Sequence, residues 1–143
     1  MTQRTDVNPK IDWDALVSAA RAAARFSHSP YSRYPVGAAL LGADGVVRGG
    51  CNIENASYGL TMCAERVALF KSVSEGVREF RALAIVGGTP DSPAWPCGAC
   101  RQALAEFCSP DMPVGVAPLR AGAPEIRDFS EFLPFSFSLR DRK

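Results

Sequence analysis

Cys97 and Cys100 are separated by two residues in the run Pro96-Cys97-Gly98-Ala99-Cys100, the spacing of a chelating turn. Both fall at the start of a predicted helix, where two sulfurs can face one point and the helix dipole favours thiolate over thiol. Cys63 opens a second predicted helix, so a cation ahead of both helix N-termini could collect three thiolates and leave a fourth tetrahedral position to water. An open position is what separates a catalytic zinc from a structural one. Glu65, two positions after Cys63, could then reach that water without ligating the metal. Positions i and i+2 diverge by about 200° on a regular helix, so the cation must lie near the helix axis, beyond its first turn. Three thiolates on Zn²⁺ leave a net negative site that calls for a positive neighbour. Arg66, three residues after Cys63 and on the same face, suits that role better than Arg101, which directly follows Cys100.

These residues need elements to position them. Trp13, Leu16, Val17, Ala20 and Ala24 recur at helical spacing after Asp12, predicting an amphipathic helix over 12–26. A run from Val36 to Leu41, an Asp44-Gly45 turn and a second run from Val46 towards Cys51 predict a hairpin, followed by a polar loop over 52–61. A helix is predicted over 63–75 with Gly76 as its stop, and a buried strand over 80–86. A Gly- and Pro-rich loop, 87–96, delivers the chain to a third helix, 97–108, with Pro110 beyond it. Strands over 114–117 and around Ile126, and one helical turn over 130–133, complete the reading. Helices alternating with strands after an initial hairpin imply a mixed sheet with helices on its faces, in one domain spanning 1–143 with flexible ends at 1–10 and 138–143.

Composition narrows the partners. With 16 basic residues against 15 acidic, the net charge is +1, which offers no footprint for a phosphate backbone and argues against a nucleic-acid partner. The N-terminal MTQRTDVNPKIDWD has no apolar core of a signal peptide and no stretch suits a membrane span, so a cytoplasmic protein is expected. Five cysteines are an odd number without an export signal, which points to thiols used for metal or chemistry. Taken alone, the Cys97/Cys100 pair also fits a thioredoxin-like redox pair, and Cys51 or Cys108 could close a structural zinc knot. Cys108 shares a helical face with Cys100, Leu104 and Phe107 and reads better as a core residue. His28, at a helix end beside Ser29-Pro30, is assigned no function.

Together, Cys63-Ala64-Glu65 and Pro96-Cys97-Gly98-Ala99-Cys100 match the three-cysteine form of the zinc deaminase signature, whose hydroxide chemistry is general to that class. The segments PYSRYPVGAAL (30–40), GCNIENASYG (50–59), CAERVALFKSVSEG (63–76) and PCGACRQ (96–102) are similar to those of the small homotetrameric cytidine deaminases, over about residues 12–137. The resemblance implies a three-layer α/β/α fold with a mixed five-stranded sheet and one Zn²⁺ per subunit. It implies a homotetramer with active sites shared across interfaces, and conversion of cytidine or deoxycytidine to the uracil nucleoside and ammonia in pyrimidine salvage. By position, Asn52 and Glu54 would hold the ribose hydroxyls, and the Ala64 backbone would touch the base. Tyr34 stands where the family usually has Phe beside the substrate, Phe137 or else Phe135 would stack on the base from a neighbouring subunit, and Tyr58 would help at the 5′ end of the sugar. Glu65 would carry protons from water to ring N3. A carboxylate beside an amide is independently a good reader of vicinal hydroxyls. The same fold also hosts aminonucleoside antibiotic deaminases, against which the NIENASYG segment favours a plain ribose.

Overall fold

The computed structural model describes residues 10–140. Of the two ends expected to be flexible, residues 1–9 and 141–143 lie outside that range. The elements are α1 (Trp13–Ala24), β1 (Gly37–Gly42), β2 (Val47–Cys51), α2 (Ala64–Ser74), β3 (Phe80–Val86), β4 (Gly88–Thr89), β5 (Ser92–Pro93), α3 (Gly98–Ala105), β6 (Pro113–Ala117) and β7 (Glu125–Asp128). Single 3₁₀ turns occupy Tyr58–Leu60 and Phe129–Glu131. No helix among the described residues is long and apolar enough to cross a membrane.

One five-stranded sheet runs in the order β2-β1-β3-β6-β7, and a two-stranded hairpin pairs β4 with β5. Only β3 and β6 are parallel, joined through α3, so the sheet is mixed as predicted. Side-chain alternation along the strands sorts two cores. Ala39 of β1 and Ala82, Ala84 and Val86 of β3 meet α1 through Leu16, Val17 and Ala20. Their neighbours Ala38, Leu40, Leu83 and Ile85 face the other way, onto α2 at Ala64, Ala68 and Leu69 and onto α3 at Leu104. The result is the expected α/β/α arrangement in three layers.

α1 begins where Asp12 accepts a hydrogen bond from the Ala15 amide at 3.0 Å. Two glycines permit the close approach of helices to the sheet. A Cβ on Gly37 would lie 1.9 Å from the Ala20 carbonyl oxygen of α1. On Gly50 it would lie 2.6 Å from the Ala68 nitrogen and 2.7 Å from the Ala64 oxygen. The second contact presses β2 against the first turns of α2, the helix that carries Ala64 and Glu65.

Three segments depart from the sequence reading by more than a residue or two at an element end or in kind. The helix expected over 97–108 stops at Ala105, because the amides of Phe107 and Cys108 both fold back to the Leu104 carbonyl at 3.0 and 2.8 Å. Pro110 also disfavours helical backbone at the residue before it. The loop expected over 87–96 contains the β4–β5 hairpin, turned at Thr89, whose side-chain oxygen accepts from the Ser92 amide at 3.2 Å. The turn expected over 130–133 lies at Phe129–Glu131, set by a capping box in which Asp128 and Glu131 satisfy each other's backbone amides.

Candidate active site

Cys63 and Cys97 are the N-caps of α2 and α3, and Cys100 sits in the first turn of α3. Cys63 has extended backbone, φ −73° and ψ 153°, so its side chain is free of the helical phase that Glu65 follows. This resolves the divergence expected between positions i and i+2, since only one of the two residues lies on the helix. The ligand atoms of all three cysteines lie within 4.8 Å of one another, with Cys63 Sγ and Cys97 Sγ 3.7 Å apart. Thiolates around a tetrahedral zinc, each about 2.3 Å from the metal, stand about 3.8 Å apart, so the donors fit that ion. Among the described residues no other group of histidine, cysteine or carboxylate side chains comes together in this way. Cys51 and Cys108 are outside the cluster, and burial pushes the Cys108 thiol up to about 12.

The electrostatics suit a cation as well. Hydrogen bonding from Cys100 and from Arg66 pushes the Cys63 thiol down to about 5, against the opposing effect of burial. Cys100 is pushed up, first by its hydrogen bond to Cys63 and then by burial. A divalent ion lets all three ionise together. Arg66 donates to Cys63 Sγ at 3.5 Å, the contact expected from its spacing, whereas the Arg101 guanidinium is turned to backbone carbonyls.

Glu65 is 4% exposed, one of two buried polar or charged side chains among the described residues. Burial foremost, and then the Cys63 charge, push its carboxyl up to about 7, where a group can both take and give a proton near neutrality.

A cleft of about 480 Å³ opens over these groups, in the size range of small-molecule sites. Cys63, Ala64, Glu65 and Cys97 line it together with Tyr34, Asn52 and Glu54. Asn52 is already heavily used: its Oδ1 accepts from the Val36 amide at 2.9 Å and from the Ser27 hydroxyl, and its Nδ2 donates to the Tyr34 carbonyl at 2.8 Å. One amide hydrogen remains. Glu54 Oε1 accepts from the amides of Tyr31 and Ser32 at 3.0 and 3.1 Å. The Ser32 hydroxyl, with these amides, holds the Glu54 carboxyl below the usual carboxylate range, so it acts as an ionised acceptor. Tyr34 lines the cleft, and its hydroxyl lies 2.7 Å from where a Gly88 Cβ would stand, beside the β4–β5 hairpin.

Two predicted substrate contacts, Tyr58 and Phe137, are not brought into this cleft. Tyr58, 75% exposed and edge-on to Tyr31 at 6.0 Å, lines a neighbouring cavity that shares Ser32, Glu54 and Thr61 with the cleft. Phe137, 57% exposed, is held by its carbonyl, which accepts from Gln102 at 3.1 Å. Sequence reasoning missed Trp95 and Val36 as walls and Ser32 and Thr61 as polar lining. A tryptophan two positions before a ligand was a usable signal for the first; nothing in the sequence marks the others.

The profile described as the cytidine and deoxycytidylate deaminase zinc-binding region matches residues 11–116. Cytidine deaminases of Sporosarcina psychrophila and Halalkalibacterium halodurans are 49% and 50% identical over 131 residues, covering 92% of this chain and 95% and 98% of theirs. The crystal structure of the cytidine deaminase from Burkholderia pseudomallei superposes with a TM-score of 0.83 at 44% identity, covering 89% of this chain and all of that one. A match that runs through both cysteine segments, together with near half-identity along almost the full length of both relatives, assigns the chain: it belongs to the cytidine and deoxycytidylate deaminase family.

Proposed function

We infer that this protein is a zinc-dependent hydrolytic deaminase converting cytidine and deoxycytidine to uridine and deoxyuridine with release of ammonia. The observation that carries the reading is the buried carboxylate of Glu65 in the same nucleoside-sized cleft as a three-thiolate donor set. Cys63, Cys97 and Cys100 would hold one zinc, with Arg66 keeping Cys63 ionised. When bound, zinc supplies a Lewis acid that makes water nucleophilic near neutral pH. Glu65 takes one proton from the attacking water and delivers it to ring N3, then takes the proton left on the new C4 hydroxyl and passes it to the amino nitrogen, so that the C4 carbonyl forms as the C–N bond breaks and ammonia departs. The Glu65 side chain is buried, which limits exchange of these protons with bulk water.

The remaining assignments follow from what each group has left to offer. The remaining acceptor capacity of the Glu54 carboxylate and the last amide hydrogen of Asn52 hold the ribose hydroxyls. Ala64 is the first residue of α2, where a helix leaves its amide without an intrahelical partner, and that backbone meets the base. Tyr34 packs beside the substrate.

The test is direct. Purified zinc-loaded protein is expected to convert the ultraviolet spectrum of cytidine to that of uridine, one ammonia per nucleoside, and to stop when a chelator strips the metal. An unchanged spectrum with zinc bound would overturn the reading.

The same reading makes the protein a cytoplasmic homotetramer serving pyrimidine salvage. Supporting the assembly, Phe26, Tyr58, Leu60, Phe135 and Phe137 are large apolar side chains left exposed, and Phe137 lies outside its own subunit's cleft. Phe137 then stacks on the base in a neighbour's site, Tyr58 reaches the sugar 5′ end across the same interface, and Phe135 is the substitute for Phe137. Light scattering is expected to give four times the 15.3 kDa chain mass, and a monomer at the same concentration would exclude a shared site. Free thiols throughout are in keeping with a reducing compartment.

A further inference from the structure

Arg101 is left without a role by the mechanism above. It follows Cys100 in α3, yet its Nε donates to the Pro96 carbonyl at 2.7 Å and a terminal nitrogen donates to the Phe132 carbonyl at 2.8 Å. The guanidinium carbon lies 5.5 Å from the centre of the Phe132 ring, and that ring packs on Trp95 with 5.7 Å between centroids. Trp95 is a wall of the cleft, and Pro96 immediately precedes Cys97. One part-buried cation thus grips the carbonyl just before a thiolate, and the face and carbonyl of the residue that backs the cleft wall. Two carbonyls in different directions need the rigid planar fork of arginine, and both bonds are charge-assisted. The sequence gap of 31 residues between the bonded partners makes this a tertiary lock, not a local turn.

We propose that Arg101 is a positioning residue that locks the Trp95-Pro96-Cys97 segment to the C-terminal segment at Phe132, fixing both the retention of zinc by the thiolates and the placement of the Trp95 wall. The proposal rests on the deaminase reading for the metal, and on the hydrogen bonds together with the Arg101–Phe132–Trp95 ring packing for the lock.

Arg21 provides an internal comparison, because it also clamps two carbonyls, those of Pro118 and Gly122 at 3.1 and 3.0 Å, but from α1 on the other face of the sheet. The experiment measures release of zinc from holoenzyme to excess EDTA, and KM and kcat for cytidine, in wild type, Arg101→Lys and Arg21→Lys. Arg101→Lys is expected to release zinc about 10–100-fold faster, the scale on which outer groups act on a metal, and to raise KM. Arg21→Lys is expected to change the melting temperature while leaving zinc release and KM at wild-type values. Wild-type zinc release in Arg101→Lys, or equal acceleration in both arginine variants, overturns the lock. Should Arg101→Lys not fold, Phe132→Leu carries the test: a raised KM supports the lock and an unchanged KM overturns it. A wild-type protein that holds no zinc would instead sink the deaminase reading, and the zinc half of the proposal with it.

Discussion

Glu65→Gln is expected to keep zinc and fold and to lose cytidine turnover by about 10⁴-fold, the upper end of what one positioned acid or base contributes. The side chain serves more than one proton transfer in a turnover, and an amide of the same shape performs none of them. Folding should not suffer, because burial already disfavours the charged carboxylate and the neutral amide fills the same volume. Zinc should remain, since Glu65 is outside the trio of sulfurs that offers ligand atoms. The measurement pairs zinc stoichiometry after dialysis with the rate of spectral change in cytidine. Retained turnover would remove Glu65 from the proton path, and lost zinc would make it a ligand.

How much of this was legible depended on whether a feature is local. The strand over 80–86 reads from sequence because every second residue faces one of two helical layers, so the run is apolar almost throughout. The cysteines read because metal chemistry constrains residue type and spacing together. What the spacing did not reveal is that Cys63 caps its helix with extended backbone, which lets Glu65 and Cys63 share a site despite their separation in helical phase. The β4–β5 hairpin was hidden because Pro90 and Pro93 disguise a two-residue pairing as loop. Glu54 on its own reads as a solvated carboxylate; the amides of Tyr31 and Ser32 that aim it lie over twenty residues earlier in the chain. Adjacency to Cys100 makes Arg101 a candidate thiolate partner, but side-chain direction in the first turns of α3 sends it to Pro96 and Phe132. Sequence spacing placed the donors, and tertiary contacts decided what each neighbour does.

Cys97→Ala separates a metal ligand from a packing residue more cleanly than either other cysteine of the trio. Cys97 is exposed at the cap of α3, makes no side-chain capping bond, and so contributes little to the core. Cys100, in contrast, is fully buried, and truncating it would mix loss of a ligand with a cavity. Removing one of three thiolates should weaken zinc by more than the roughly 10–100-fold that loss of an outer partner costs. The expected result is a folded protein that leaves dialysis without zinc and does not deaminate cytidine. Cys51→Ala and Cys108→Ala serve as counterparts, because both thiols lie outside the cluster and both variants should keep full zinc. Zinc lost from both Cys108→Ala and Cys97→Ala would rewrite the ligand set as a closed, four-sulfur structural site. Zinc lost only on removal of Cys97, with Glu65→Gln still holding it, ties the metal to the cap of α3 and the proton path to α2, two helices whose N-termini the sheet brings to one cleft.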